Sequence, residues 1–188
     1  PTVQIAPAKG WPAGVTPKGA PGTQVAAFAT GLQHPRWIYV LPNGDVLVAE
    51  TNAPPNRDNR PGIKGWFFKY FQKKAGGGVP SANRITLLRD GDRDGVAEIR
   101  SVFLDSLNSP FGMALVGSDF YVANTDAVVR FSYVPGEIQI TAAGTPVVAL
   151  PAGRINHHWT KGLVVSPDGS RLYLSVGSNS NVAERGIA

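Results

Sequence analysis

The stretch LPNGDVLVAET, from Leu41 to Thr51, decides the fold. Its Pro-Asn-Gly-Asp segment is a tight-turn sequence, and the residues that follow alternate so that one face of a strand can enter a core. The same design returns in LVGSDFYVANT (Leu115 to Thr125) and SPDGSRLYLSVGS (Ser166 to Ser178), and an apolar run (RWIYV, FGMAL or GLVV) precedes each turn. The repeated unit is a β-hairpin, so the sequence predicts an all-β protein.

The spacing of these hairpins is that of β-propeller blades. They recur at a period of roughly 40 to 50 residues, the length of a four-stranded blade, once an insertion at 52–83 is set aside. NRITLLRD with AEIRSVFLD completes a first blade, AVVRFSYV with GTPVVALP completes a second, and a third begins at His157. We therefore expect an N-terminal extension over 1–30 and a partial propeller of about two to three blades over 31–188.

So few blades cannot form a ring, because propellers close with about four to eight. Unpaired strand edges at an open end also invite aggregation. We expect the missing blades to come from the rest of a longer polypeptide or from another chain.

Composition excludes several classes of protein. With 188 residues, 43% of them hydrophobic, the chain can bury a core, and the absence of cysteine rules out disulfides and thiolate metal sites. No apolar run approaches the ~18 residues of a membrane span, and the start at Pro1 resembles a mature or trimmed chain without a signal peptide. The net charge is +5, but only Lys64 to Lys74 concentrates lysine, which is too little to predict nucleic-acid binding.

The segment DGDRDGVAE resembles a calcium-binding loop. Asp90, Asp92 and Asp94 alternate and Glu98 is the ninth residue, a spacing that brings oxygen ligands together around Ca²⁺. The twelfth residue is Ser101 instead of an acid, and the segment lies between predicted strands. The sequence leaves two interpretations, a structural calcium site or an acidic hairpin turn without metal.

The insertion carries an aromatic and basic cluster. Trp66, Phe67, Tyr70 and Phe71 have the spacing of a short amphipathic helix, with lysines between them. Such a helix could cap the mouth of the propeller, or it could contact a membrane surface or a redox partner.

Two adjacent histidines, His157 and His158, precede the strand GLVV at the predicted mouth of the propeller. A neutral imidazole can accept a proton from a hydroxyl group near neutral pH, as general-base catalysis requires. Adjacent histidines have no metal-binding spacing, and the alternative is that both are surface or packing residues.

HWTKGLVVSPDGSRLYLSVGSNSN resembles a segment of the soluble quinoprotein sugar dehydrogenases, and GLQHPRWIYVLPNGDVLVAET and NRITLLRDGDRDGVAE resemble their sorbosone dehydrogenase branch. The resemblance runs from about Gly31 to the end of the chain. It implies a six-bladed propeller that binds pyrroloquinoline quinone (PQQ) and Ca²⁺ and oxidises a sugar or aldehyde substrate. It also implies an external electron acceptor and a periplasmic or secreted location.

The resemblance also implies roles for individual residues. His158 matches the catalytic base that takes the hydroxyl proton while hydride passes to the quinone. Where glucose-oxidising members carry an acid after the strand's glycine, this chain has Ser178 and Asn179, and other cofactor and calcium contacts belong to later blades. The residues expected near the cofactor are Lys161, His157, Asn108, Ser178 and Asn179.

Two other functions remain open from the sequence. A propeller lactonase would use water bound to a channel metal, for which Glu50 and Asn124 are candidate ligands. A non-catalytic binding propeller would tolerate the replacement of His158.

Overall fold

The structure is a computed structural model that describes residues 4–12, 14–54, 62–153, 156 and 158–178. Over these residues the chain forms ten β-strands and one α-helix. The strands are β1 (Pro35–Val40), β2 (Val46–Glu50), β3 (Arg84–Arg89), β4 (Ile99–Leu104), β5 (Met113–Val116), β6 (Asp119–Ala123), β7 (Ala127–Ser132), β8 (Thr145–Ala149), β9 (Leu163–Val165) and β10 (Leu172–Leu174), and the helix is α1 (Ile63–Lys74).

The strands form three antiparallel sheets in chain order. The first contains β1-β2-β3-β4, the second β5-β6-β7-β8, and the third β9-β10. Within each sheet every strand pairs with the next along the chain, and short turns connect β1–β2, β5–β6 and β9–β10 as the turn sequences predict. In the turn between β1 and β2, the Leu41 amide donates to the Asp45 carbonyl over 2.8 Å, and Gly44 takes a φ of 93° that favours glycine. The all-β prediction and the three predicted hairpins are confirmed.

The second sheet is covered on both faces. Val122 packs with the first sheet in a large core cluster, whereas the next residue, Ala123, packs towards the third sheet with Leu163. This alternation is what a strand buried on both sides requires. At the centre of the larger cluster the rings of Phe103 and Phe120 meet edge to face, with centroids 5.5 Å apart. The sheets therefore stack in series as propeller blades do, while ring closure and the number of blades stay predictions.

The strand register defines two edges of the stack. Glu50 pairs with Arg84 at one end of the first sheet, and Arg89 pairs with Ile99 at the other. The end that carries the loops before β1, β5 and β9 (residues 34, 108–112 and 158–162) is termed the upper edge, and the opposite end the lower edge. At the upper edge the Gly112 amide donates to the Lys161 carbonyl over 3.0 Å, so β5 and β9 begin side by side.

The N-terminal extension lies against the first sheet. The Ala97 amide donates to the Phe28 carbonyl over 2.9 Å, and the Arg100 guanidinium donates to the carbonyls of Thr30 and Gly31. The boundary expected near residue 30 therefore falls within a segment that contacts β4, and the division into extension and propeller stays a prediction.

The insertion forms α1, as its periodicity predicts. The helix starts after Gly62, which has no side chain to cap it, and its last turn carries Lys73 and Lys74, where positive charge favours a helix C-terminus. The Ala8 amide donates to the Lys74 carbonyl over 3.1 Å and ties this end of the helix to the N-terminal segment. Among the described residues, no helix has the length and apolarity needed to cross a membrane.

Candidate functional site

A cavity of about 360 Å³ opens at the upper edge and is the candidate site. Its titratable lining residues are His34, Arg36 and His158, and no described carboxylate lines it. A second cavity of about 550 Å³ lies beside β4, β7 and β8, and the only titratable group among its described lining residues is Asp105. The first cavity is the better candidate for a functional site, because its histidines can transfer a proton and its arginine can bind an anion. Its remaining walls come from the segment after β2, from the end of α1 with the residues that follow it, and from the loop before β9 (Asn52, Ala53, Gln72, Gly77, Gly78, Trp159 and Thr160).

Three aromatic rings lie in a row along the upper edge. Trp37 in β1, Phe111 before β5 and Trp159 before β9 contact one another in turn, with ring centroids 5.0 and 6.5 Å apart. The Arg36 guanidinium lies 5.5 Å from the centre of the Trp159 ring, within cation–π range. The permanent positive charge of Arg36 therefore lies at the cavity, against the ring of Trp159.

His158 lies in the cavity wall with an exposed side chain. Gly177, in the segment after β10, lies directly against it. A Cβ atom at position 177 would come within 2.5 Å of the His158 Cβ and 3.1 Å of the His158 carbonyl oxygen. Only glycine allows this approach, so Gly177 helps to determine where the imidazole lies. The role of His158 as a base stays a prediction.

Lys161 is completely buried, and within the described part of the chain its Nζ has no hydrogen-bond partner. Burial lowers the pKa of this ammonium group below its ordinary value. A buried cation without a partner is costly, which makes it a candidate to bind an anionic ligand. Lys161 follows two cavity residues in sequence but does not itself line the cavity. The other buried side-chain atoms without a partner among the residues that the structure describes are Ser109 Oγ, Asn124 Oδ1 and Asn156 Oδ1.

Hydrogen bonds connect the segment before β9 to Thr125, which follows β6. Asn156 Nδ2 donates to Thr125 Oγ1, which in turn donates to the Trp159 carbonyl, each over 3.3 Å. The exposed Asn108 accepts a bond from the Thr125 amide through its carbonyl over 3.0 Å, and it lies outside the cavity lining.

The other predicted cofactor residues lie elsewhere. Ser178 follows Gly177 with an exposed side chain and is not in the cavity lining. His157 and Asn179 lie outside the described residues. Of the predicted cofactor and catalytic residues, the cavity therefore contains His158.

The acidic loop forms the cluster that its spacing predicts. One carboxylate oxygen from each of Asp90, Asp92, Asp94 and Glu98 lies within 4.8 Å of the others. Asp90 also accepts bonds from the backbone amides of Arg93 and Gly95, which shapes the turn without metal. The loop joins β3 to β4 at the lower edge, so the structure separates it from the cavity. Calcium binding stays a prediction.

Glu50 is engaged within the protein. Its buried carboxylate accepts bonds from Arg84 Nε over 3.0 Å, from the Thr86 hydroxyl and from the Gln33 amide, and Arg100 lies 3.6 Å away. Burial opposes ionisation, but the bonds from Arg84, Thr86 and Gln33 outweigh it and hold the pKa of Glu50 below its ordinary value. This carboxylate clamps the N-terminal segment to β2 and β3, which counts against a role as a channel-metal ligand.

Sequence reasoning missed His34 and Arg36. His34 adopts a φ of 55° directly before Pro35, and Ser109 adopts a φ of 47° directly before Pro110. The shared residue-Pro pattern before β1 and β5 is visible in the sequence, but Ser109 does not line the cavity, so this pattern would not have identified it.

Comparison with solved structures identifies the class of fold. The chain resembles the holo form of the pyranose dehydrogenase PQQ domain from Coprinopsis cinerea, with a TM-score of 0.62 and 20% identity, covering 88% of this chain and 33% of that one. It also resembles the calcium structure of a Trichoderma reesei Carbohydrate-Active Enzymes Family AA12 protein (TM-score 0.57, 18% identity, 81% of this chain and 32% of that one). The iodide structure of that family gives a TM-score of 0.62 at 18% identity, with 95% and 37% covered.

The chain therefore shares the fold of these solved structures, one of which is a PQQ domain, and it spans about a third of their length. Residues 21–184 match the family described as Domain of unknown function (DUF7133), and the chain belongs to that family. No curated protein matches the chain.

Proposed function

We propose that this chain is part of a PQQ-dependent dehydrogenase that oxidises a sugar or sugar aldehyde. The observation that carries the proposal is the unpartnered, buried Lys161 ammonium next to the cavity of His158 and Arg36, within a fold shared with a PQQ domain. Two segments, GLQHPRWIYVLPNGDVLVAET and NRITLLRDGDRDGVAE, resemble the sorbosone dehydrogenase branch and support that finer assignment.

The residues of the upper edge fit an anionic cofactor. PQQ carries carboxylates, and no anion among the described residues pairs with the Lys161 ammonium. Arg36 adds a permanent positive charge, and no described carboxylate of the cavity would repel the ligand. Lys161 would hold the cofactor's carboxylates, and bound PQQ would supply the hydride-accepting chemistry.

The chain's own residues would bind the substrate and move a proton. An imidazole nitrogen of His158 accepts the proton of the substrate hydroxyl group as the C–H bond breaks. Gly177 lets the segment after β10 hold that imidazole against the cavity. The side chain of Trp159 and the helix end at Gln72 and Gly77 wall the cavity and exclude water on this side.

The rest of the assembly is part of the same proposal. Ile38 on the first sheet is exposed, as are Val164 and Tyr173, which pair on the third sheet and face away from the core. Further blades would cover these apolar faces, whether from the same polypeptide or from another chain. We further propose that the loop at 90–98 binds a structural Ca²⁺ and that the enzyme is periplasmic or secreted and passes electrons to an external acceptor.

The proposal is tested on the complete protein, reconstituted with PQQ and Ca²⁺, by following dye reduction with aldoses and with sorbosone. We expect turnover only with PQQ, and a loss of about 100-fold or more in His158→Ala, the range typical of a missing general base. Cofactor binding should survive in that variant. Lactone hydrolysis without quinone would instead indicate a lactonase, and no activity in either assay would indicate a binding propeller.

A further inference from the structure

Helix α1 presents an aromatic face to solvent. Ile63, Trp66 and Tyr70 are 77%, 63% and 54% exposed, and Phe67 is 48% exposed. These four residues occupy positions i, i+3, i+4 and i+7, so they form one stripe along the helix.

The opposite side of the helix faces the protein. Gly65 is buried, and Gln72 lies in the wall of the cavity that contains His158. An amphipathic helix on a globular protein normally turns its apolar stripe inward. Here Gly65 and Gln72 face the protein, and the stripe of Ile63, Trp66, Phe67 and Tyr70 faces outward.

The exposed rings form a continuous surface. Trp66 stacks on Tyr70 with centroids 6.0 Å apart and meets Phe67 edge to face at 5.0 Å, and Tyr70 meets Phe71 at 5.5 Å. Contiguous exposed apolar surface of this kind marks a site of interaction, because solvation of aromatic area is unfavourable. The stripe and its rings are termed the aromatic face below (Ile63, Trp66, Phe67, Tyr70 and Phe71).

Positive charge surrounds the aromatic face. Lys69, Lys73 and Lys74 are exposed on the same helix, and the sequence contains no Asp or Glu from 59 to 89. A second copy of this chain would bring like charges together across the contact, and an ordinary protein partner would have to supply both acids and an apolar patch. An anionic lipid surface supplies negative headgroups beside an apolar layer, and Trp and Tyr favour that boundary.

We propose that α1 docks the protein onto an anionic membrane surface, with the aromatic face in the boundary between headgroups and acyl chains. The helix lies in the plane of the surface and does not span the bilayer, since it has 12 residues. Gln72, Gly77 and Gly78 connect the helix end to the cavity, so docking brings the cavity next to the lipid. The docking does not depend on the proposed dehydrogenase activity.

The test is co-sedimentation of the complete protein with vesicles of phosphatidylcholine alone or mixed with phosphatidylglycerol. We expect binding to the anionic vesicles only, weakened by added salt. Trp66→Ser/Tyr70→Ser and Lys69→Glu/Lys73→Glu should each lower the partition coefficient at least about ten-fold.

Matched controls separate this face from general surface effects. Val134→Ser removes an equally exposed apolar side chain, and Arg130→Glu/Arg171→Glu changes exposed charge by the same amount. Both should bind anionic vesicles like the unmodified protein. Circular dichroism should show a folded protein in every variant, because the replaced side chains are exposed.

Three results would overturn the proposal. The first is equal binding to neutral and anionic vesicles, and the second is binding unaffected by Trp66→Ser/Tyr70→Ser. The third is a covered aromatic face in the lipid-free protein, seen as protection of Trp66 from acrylamide quenching. A dimer lost in Trp66→Ser/Tyr70→Ser would then assign the face to a second copy, and protection in the monomer would assign it to another part of the polypeptide.

Discussion

Replacement of Glu50 with glutamine should destabilise the fold more than any surface carboxylate replacement. The carboxylate is completely buried and joins three segments, namely Gln33 before β1, β2 itself, and Arg84 with Thr86 on β3. Glutamine has nearly the same shape, but it keeps only one acceptor oxygen and points an NH₂ group at donors. Each hydrogen bond to a charged group contributes about 1.5–3 kcal/mol.

The net loss is smaller than the sum of these bonds. The Arg84 side chain is 25% exposed and that of Arg100 is 39% exposed, so water can solvate both guanidinium groups after the change. We expect Glu50→Gln to lower the free energy of unfolding by about 2–3 kcal/mol. For a chain of this size that corresponds to a fall in melting temperature of about 5–10 °C.

The pH dependence gives an independent check on the same residue. Because the folded pKa of Glu50 is below its ordinary value of 4.5, its ionised form stabilises the fold fully above that pH. The stabilisation is lost as pH falls through the lowered folded pKa. Glu50→Gln should therefore lose less stability than the unmodified protein on acidification.

The assay is thermal and urea unfolding of the complete protein by circular dichroism. Glu137→Gln serves as the control, because the Glu137 carboxylate accepts one bond from the Val134 amide in an exposed turn. It should change the unfolding free energy by less than about 0.5 kcal/mol. If Glu50→Gln and Glu137→Gln melt at the same temperature, the clamp described for Glu50 does not stabilise the fold.

Two further predictions concern the His158 and calcium sites. Gly177→Ala should displace the His158 imidazole and lower kcat by about 100-fold with PQQ affinity unchanged. The control Gly153→Ala should remain active, because no atom lies within 4 Å of the added Cβ. Equal kcat values in the two variants would refute the positioning role of Gly177. Calorimetric titration should show that the unmodified protein binds Ca²⁺ and that Asp92→Asn/Asp94→Asn does not. The control Asp119→Asn should bind Ca²⁺ like the unmodified protein. The same heats in all three proteins would show that the loop is an acidic turn without metal.

The hairpins could be predicted from sequence because their signals are local. A turn such as Pro42 to Asp45 and the alternation after it lie within one short segment, and the structure reproduces β1–β2, β5–β6 and β9–β10. The acidic cluster at 90–98 has the same property, since its spacing alone brings the carboxylates together. The periodicity of α1 predicted the helix in the same way.

The cavity could not be predicted because it depends on distant packing. His34 meets His158 only after three sheets have stacked, and no spacing along the chain encodes that approach. In the sequence Glu50 is a polar residue at the end of a strand. Its contact with Arg84 depends on the register of β2 and β3, which cannot be read from the sequence. Periodicity identifies the apolar stripe of α1 but not its direction, which depends on Gly65 and Gln72 facing the body.

The most direct test of the quinone assignment is the dissociation constant of PQQ for the complete protein, measured by fluorescence titration. The account predicts saturable binding that Lys161→Met weakens by about 10- to 100-fold, the loss expected when a charged hydrogen-bond partner is removed. His158→Ala and the exposed-lysine control Lys18→Met should bind PQQ like the unmodified protein. Absence of saturable binding, or equal affinity in Lys161→Met, would contradict it.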